Sequence, residues 1–185
     1  MAIISKKICM VGDFGVGKTS LIRRFVEREF SDQYLSTVGV KISKKTVELA
    51  EVKQQDKLNL QLLIWDLEGH TKFKAIAPSY LQGSSGAVIV ADVSRPETVE
   101  RLPEHIQLFL SVNSKGSIIV ALNKSDLIDK EKLEKLIQMV QLQGMERVSG
   151  IYQTSAKTGS SVDEIFQQLA YKSLEAIWIL FSIKS

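Results

Sequence analysis

Gly12-Asp13-Phe14-Gly15-Val16-Gly17-Lys18-Thr19 has the pattern GxxxxGK[ST]. It follows the apolar run KICMV and opens the helix-forming stretch TSLIRRF, which is the setting this pattern requires. Glycines let such a loop turn tightly and bring its main chain close to a ligand. The loop N–H groups and the start of the following helix then face anionic oxygens, where the helix dipole favours negative charge. Lys18 can reach the outer phosphates of a bound nucleotide, and the Thr19 hydroxyl can ligate Mg²⁺. Asp13, Phe14, Val16 and Ser20 complete the candidate phosphate site.

Working outward, short apolar runs recur at 8–11, 62–65, 87–91, 117–122 and 151–152. Between them apolar residues fall at helical spacing: Leu21, Ile22, Phe25 and Val26; Leu133, Leu136, Ile137 and Val140; Val162, Ile165, Phe166 and Leu169. Strands alternating with helices predict an α/β fold, a mostly parallel sheet covered on both faces. Residues 38–66 hold two strand-like runs with no helix between them, which predicts an antiparallel edge hairpin with 51–57 at its tip. Lys41, Lys44 and Lys45 suit its outer strand, where lysine discourages pairing between sheets. Pro103 interrupts one helical pattern, so a helix should restart with Pro103 in its first turn. His105 is expected on that helix's surface, and Cys9 in the core of the first strand.

Composition limits the function classes. No repeat or linker divides the 185 residues, so a single domain is expected over 1–185. One cysteine excludes an internal disulfide and any multi-cysteine metal site. The net charge of +3 is too small to argue for a nucleic-acid partner. No apolar run has the length of a bilayer span, and no signal peptide opens the chain, so a cytoplasmic location is expected.

A phosphate loop alone does not choose its nucleotide. Asn123-Lys124-Ser125-Asp126 follows the run SIIVAL, at the strand end where an open parallel sheet binds ligands. The Asp126 carboxylate can accept both N1–H and the exocyclic amine of guanine, whereas adenine offers N1 as a lone pair. The Lys124 stem can lie along the ring. Asp66-Leu67-Glu68-Gly69 is a DxxG sequence after LLIW: its aspartate can hold a magnesium water shell, and its glycine N–H can meet a terminal phosphate. Thr154-Ser155-Ala156-Lys157 follows the last apolar run.

With these four loops in this order, residues 5–175 resemble a Ras-superfamily small GTPase, most closely the Rab branch. FSDQYLSTVGV (30–40) is similar to the first switch of Rabs, and WDLEGHTKF (65–73) to WDTAGQERF. The resemblance implies a P-loop NTPase small G domain: six strands, mostly parallel with one antiparallel edge hairpin, and five helices on both faces. It implies GTP and GDP as ligands, hydrolysis of GTP, and Mg²⁺ held by Thr19, by Thr37 in the GTP state and by Asp66 through water. Phe30 would pack on the guanine edge, and Ser155, Ala156 and Lys157 would support the base. Thr37 and Gly69 would order two loops while the terminal phosphate is present and release them on hydrolysis. Lys18, Thr37, Gly69 and His70 are the implied catalytic set.

The chain departs from that pattern in four places. His70 stands where most of the family has the glutamine that orients the attacking water; it either contacts that water or is an exposed loop residue. Phe14 replaces a small residue, and either crowds the path of an activator's arginine or packs outward over the nucleotide. Glu68 puts a negative charge before Gly69, near the terminal phosphate. Together these predict slow intrinsic hydrolysis, with a hydrolysis-deficient GTP-dependent binding module as the alternative. Ile42, Trp65 and Tyr80 stand at the positions of the aromatic trio that contacts effectors in Rabs, with Ile42 in place of the usual Phe; Trp65 is either a partner anchor or buried under the switches. Exchange factor and activator are expected but not identified. Lastly, AIWILFSIKS carries no cysteine for prenylation and no polybasic run, so no lipid anchor is expected. The apolar stretch 177–181 either packs on the sheet or forms a patch for a dimer, a partner or a membrane surface.

Overall fold

The computed structural model describes residues 4–33, 36–52, 55–69, 77–141 and 147–182. The strands are β1 (Ile4–Val11), β2 (Val40–Val52), β3 (Gln55–Leu67), β4 (Gly86–Asp92), β5 (Ser117–Asn123) and β6 (Val148–Gln153). They form one sheet in the order β2-β3-β1-β4-β5-β6, antiparallel only between β2 and β3 and parallel elsewhere. The expected edge hairpin is therefore present. Its alternation assigns the faces: Leu60, Leu62 and Ile64 are buried, whereas Asn59 and the β2 residues Lys41, Lys44, Thr46 and Glu48 are exposed. Residues 53 and 54 of the predicted tip lie outside the described residues.

The helical segments are α1 (Lys18–Glu27), α2 (Ala77–Leu81), α3 (Pro96–Glu100), α4 (Leu102–Val112), α5 (Lys130–Gln141) and α6 (Val162–Ser182). α3 and α4 are one helical run broken at Arg101, with Pro103 in the first turn of α4; counted together they leave five helices. Proline has no N–H to give an interior turn, so restarting the helix spares an unmade hydrogen bond.

Period-two alternation in the strands builds a core on each face of the sheet. Ile8, Met10, Leu62, Ile64, Val88 and Val90 meet α1 and α6, where Phe25 and Phe166 stack with ring centroids 4.2 Å apart. Cys9, Val11, Ala87, Ile89, Ala91 and Val120 meet the other face, with Leu102, Ile106 and Phe109 of α4 and Leu133 and Val140 of α5. Cys9 is fully buried with its sulfur 3.0 Å from the Ser84 hydroxyl, and burial pushes its thiol pKa up. α6 continues to Ser182, while the side chains of 177–181 lie outside the described residues. No helix among the described residues is long and apolar enough to cross a membrane.

Candidate functional site

Parallel strands β1, β4 and β5 all end at one edge of the sheet, and the loops that leave them converge there with those of β3 and β6. A cavity of about 290 Å³ opens between them, lined among others by Phe14, Gly15, Gly17, Lys18, Thr19, Ser20, Phe30, Thr37, Gly69, Asn123, Lys124, Asp126, Ala156 and Lys157. Residues far apart in the chain, from the loop after β1 to the loop after β6, thus share one cleft.

Close approach explains two of the glycines. A side chain at Gly17, which has φ 100°, would run into the Asn123 amide. A Cβ at Gly69 would come within 2.6 Å of Lys18 Nζ and of the Asp13 and Phe14 main chain. Lys18 is buried, and its ammonium donates to the Gly12 and Asp13 carbonyls, each at 2.8 Å. Burial lowers its pKa to about 8, against the pull of Asp66 and Asp13 and with the help of Arg95. An ammonium held on carbonyl oxygens by desolvated contacts is ready to be claimed by an anion.

Beside it stand three oxygens. Thr19 Oγ1 lies 2.7 Å from Thr37 Oγ1 and donates to Asp66 Oδ2 at 2.5 Å; Thr37 Oγ1 also lies 3.4 Å from Asp66 Oδ2. The other carboxylate oxygen, Asp66 Oδ1, is buried and has no hydrogen-bond partner among the described residues. Burial raises the Asp66 pKa, opposed by Thr19, Lys18, Thr37 and Lys41. Two hydroxyls and an under-satisfied carboxylate make a hard-oxygen set that fits a small divalent cation keeping several waters. The described residues hold no His/Cys/Asp/Glu cluster of three that would suit a softer metal.

At the far end of the cleft, Asn123 bridges two loops: its amide donates to the Val16 carbonyl at 2.9 Å and accepts from the Ala156 N–H and the Thr154 hydroxyl, each at 3.3 Å. The Ser155 hydroxyl donates to Asp126 at 2.6 Å and accepts from the Thr158 N–H at 3.1 Å, so it aims the Asp126 carboxylate. Lys124 takes a left-handed backbone, φ 62°, and its ammonium pairs with buried Asp92 at 2.6 Å. Its stem is thereby held at the cavity wall. Phe30 is half-buried and packs against the α1–α6 core.

Two expectations are corrected. His105 is not on the helix surface: it is 6% exposed, with Nε2 3.0 Å from Asp13 Oδ1 in the phosphate loop. His105 lies on the buried stripe of α4 with Leu102, Ile106 and Phe109, at the spacing i, i+3, i+4, i+7, and desolvation lowers its pKa despite the nearby Asp13 carboxylate. Glu68 does not direct its charge at the phosphate end. Its carboxylate accepts from the Gly39 N–H at 2.9 Å, and its own N–H donates to the Gly39 carbonyl at 3.0 Å, tying the end of the first switch to the start of the second.

Asp92, Arg95 and Arg101 also belong to the site, although no motif in the sequence points to them. Arg95 donates to the Phe14 carbonyl at 2.8 Å and pairs with Asp92 at 3.2 Å; Arg101 pairs with Asp13 at 3.1 Å. The one signal was Asp92 at the carboxyl end of a central strand, where ligand-site residues gather. His70 lies outside the described residues. Ile42 is half exposed and pairs across the hairpin with Trp65, whose ring lies 6.5 Å from that of Tyr80 and under the Lys7 ammonium at 3.8 Å.

The family model for "Ras of Complex, Roc, domain of DAPkinase" matches residues 7–126. Over 173 residues the chain is 34% identical to the human Ras-related protein Rab-22A, covering 92% of this chain and 84% of that protein. The chain is a Rab-like small GTPase of the Ras superfamily. Similar values hold for the dog Ras-related protein Rab-13, 33% identical with 89% of this chain and 77% of that protein covered. GTP-binding protein ypt4 of Schizosaccharomyces pombe is 32% identical, with 86% of this chain and 68% of that protein covered. As a GTPase of this family the protein binds guanine nucleotide and works with effector and regulator proteins.

Proposed function

We propose that this GTPase is a Mg²⁺-dependent molecular switch, one domain over 1–185, that hydrolyses GTP slowly. The observation that carries the reading is the meeting of Thr19, Thr37 and the unpartnered Asp66 Oδ1 beside Lys18. One hydroxyl comes from the phosphate loop, one from the first switch, and the carboxylate from DxxG. A magnesium ion held by Thr19 and Thr37, with Asp66 acting through water, would supply charge neutralisation between the outer phosphates. Gly12, Asp13, Phe14, Gly15, Val16 and Gly17 wrap the phosphates with main-chain N–H groups, and Ser20 follows at the helix start. Lys18 leaves its two carbonyl acceptors for the phosphates, where its charge and the loop N–H groups stabilise what develops in the transition state. The Gly69 N–H takes the terminal phosphate. Asn123, Lys124, Asp126, Phe30, Ser155, Ala156 and Lys157 hold the guanine.

Effectors would read Ile42, Trp65 and Tyr80 together with the two switches. Lys7 over the Trp65 ring fixes that side chain in place, which lowers the entropy cost of docking.

Slow hydrolysis follows from the residues at the attacking side. His70 lacks the paired carbonyl and NH₂ with which a glutamine orients water, and Phe14 occupies the space an arginine finger would use. The clasp between Glu68 and Gly39 favours a second reading, a hydrolysis-deficient binding module, because it ties the switch ends through groups of the chain itself. Single-turnover GTP hydrolysis separates these readings. A slow wild-type rate, raised by His70→Gln or Phe14→Gly, is the expected result. A fast wild-type rate that neither substitution changes would overturn slow hydrolysis, and a rate no different from that of GTP in buffer would establish the binding module.

A further inference from the structure

A carboxylate inside an anion-binding loop is electrostatically adverse unless something compensates it. Asp13 is such a group: its side chain is 11% exposed and turned out of the cleft towards α4. There its two oxygens have separate partners, Oδ2 with the Arg101 guanidinium at 3.1 Å and Oδ1 with His105 Nε2 at 3.0 Å. Because the carboxylate only accepts, the His105 ring donates from Nε2. Asp13's own carbonyl accepts from Lys18, and its peptide lies against Gly69. The side chain that α4 grips therefore belongs to the peptide that sets Lys18 and the loop N–H groups.

We propose that His105 and Arg101 are positioning residues of the nucleotide site: by holding and neutralising Asp13 they fix the phosphate loop and slow nucleotide release. Neither side chain touches the nucleotide; both act through Asp13. Arg101 cancels a negative charge that would otherwise repel the phosphates. His105 fills the buried side of the carboxylate, where an unmet acceptor is costly. α4 is tied at its other end to the exit of the second switch, since the Asn113 side chain donates to the Leu81 carbonyl and accepts from the Ser84 N–H. One helix thus contacts both the phosphate loop and the segment that follows the second switch. Contacts made by a partner on the outer face of α4 would be transmitted to Asp13 by this route.

The inference rests on the phosphate loop being the nucleotide site, and release of a fluorescent GDP analogue from the intact protein tests it. Gln can donate from nearly the position of His Nε2, whereas Leu fills similar space without a donor. His105→Leu is expected to release the analogue about tenfold faster, the scale of one hydrogen bond to a charged group. His105→Gln should restore the slow rate, which a purely space-filling role would not require. Arg101→Gln, at a half-exposed position that tolerates change, should speed release by about threefold. Folded His105→Leu releasing at the wild-type rate, or His105→Gln releasing as fast as His105→Leu, would overturn the proposal. If His105→Leu does not fold, Arg101→Gln decides alone: faster release supports the proposal and an unchanged rate overturns it. Wild-type protein that retains no analogue would overturn the site reading itself, and this inference with it.

Discussion

Lys18 is buried, its ammonium donates to the Gly12 and Asp13 carbonyls, and its pKa falls from 10.5 to about 8. The sign of the linkage follows. Between about pH 8 and 10.5 the unfolded chain still binds a proton that the folded protein has released, so this residue's contribution to stability rises with pH. Below about pH 8 its charged form costs folding about 3 kcal/mol, an order-of-magnitude figure from the size of the shift. Bound phosphates would offset that cost and restore the proton. The melting temperature of nucleotide-free protein should accordingly gain on that of Lys18→Met as pH rises from about 8 to about 10. With nucleotide bound the gain should vanish. Parallel melting curves for the two free proteins would contradict this account of Lys18. Asp66 presents the mirror case: its burial penalises the carboxylate, which a cation beside Oδ1 would relieve.

At the scale of elements, the β2–β3 hairpin delivers both switches. Its ladder ends at Val40↔Leu67, and Glu68 with Gly39 adds one more pair closed by a side chain. Gly39 has φ 73°, a conformation that suits a residue without a Cβ and turns its N–H towards the Glu68 carboxylate. Glu68→Ala removes the acceptor and should speed amide hydrogen exchange at Gly39 about tenfold, whereas Glu68→Gln, which keeps a carbonyl oxygen, should change it little. Unchanged protection in Glu68→Ala would show that the ladder alone orders this junction. The broken helix matters in the same way. Pro103 sits in the first turn of α4, and the stripe of Leu102, His105, Ile106 and Phe109 that it opens is buried, with His105 meeting Asp13.

Across the whole molecule, the parts legible in the sequence are those whose structure is decided locally. Strand runs such as 87–91 and 117–122, the hairpin, and the restart at Pro103 are legible because each depends on neighbours in sequence: periodicity, two strand-like runs with no helix between them, a missing N–H. The phosphate loop and Asn123–Asp126 are legible for the same reason, since each motif is continuous. His105 and Glu68 escape such a reading because their partners, Asp13 and Gly39, lie 92 and 29 residues away. His105 does share the helical spacing of Leu102, Ile106 and Phe109, so its inward direction is legible although its partner is not. Asp92 is hidden differently: its importance lies in the pairs its buried carboxylate makes with Lys124, whose motif does not mention it, and with Arg95, which lies in no motif. The proposal for the cleft as a unit is a guanine-nucleotide site whose grip depends on a divalent cation. Its most direct test is to identify the nucleotide that purifies with the protein and to follow its release with and without a magnesium chelator. The account predicts GDP or GTP at one per chain, released many times faster when magnesium is removed. Bound ATP, or guanine nucleotide whose release ignores the chelator, would contradict it.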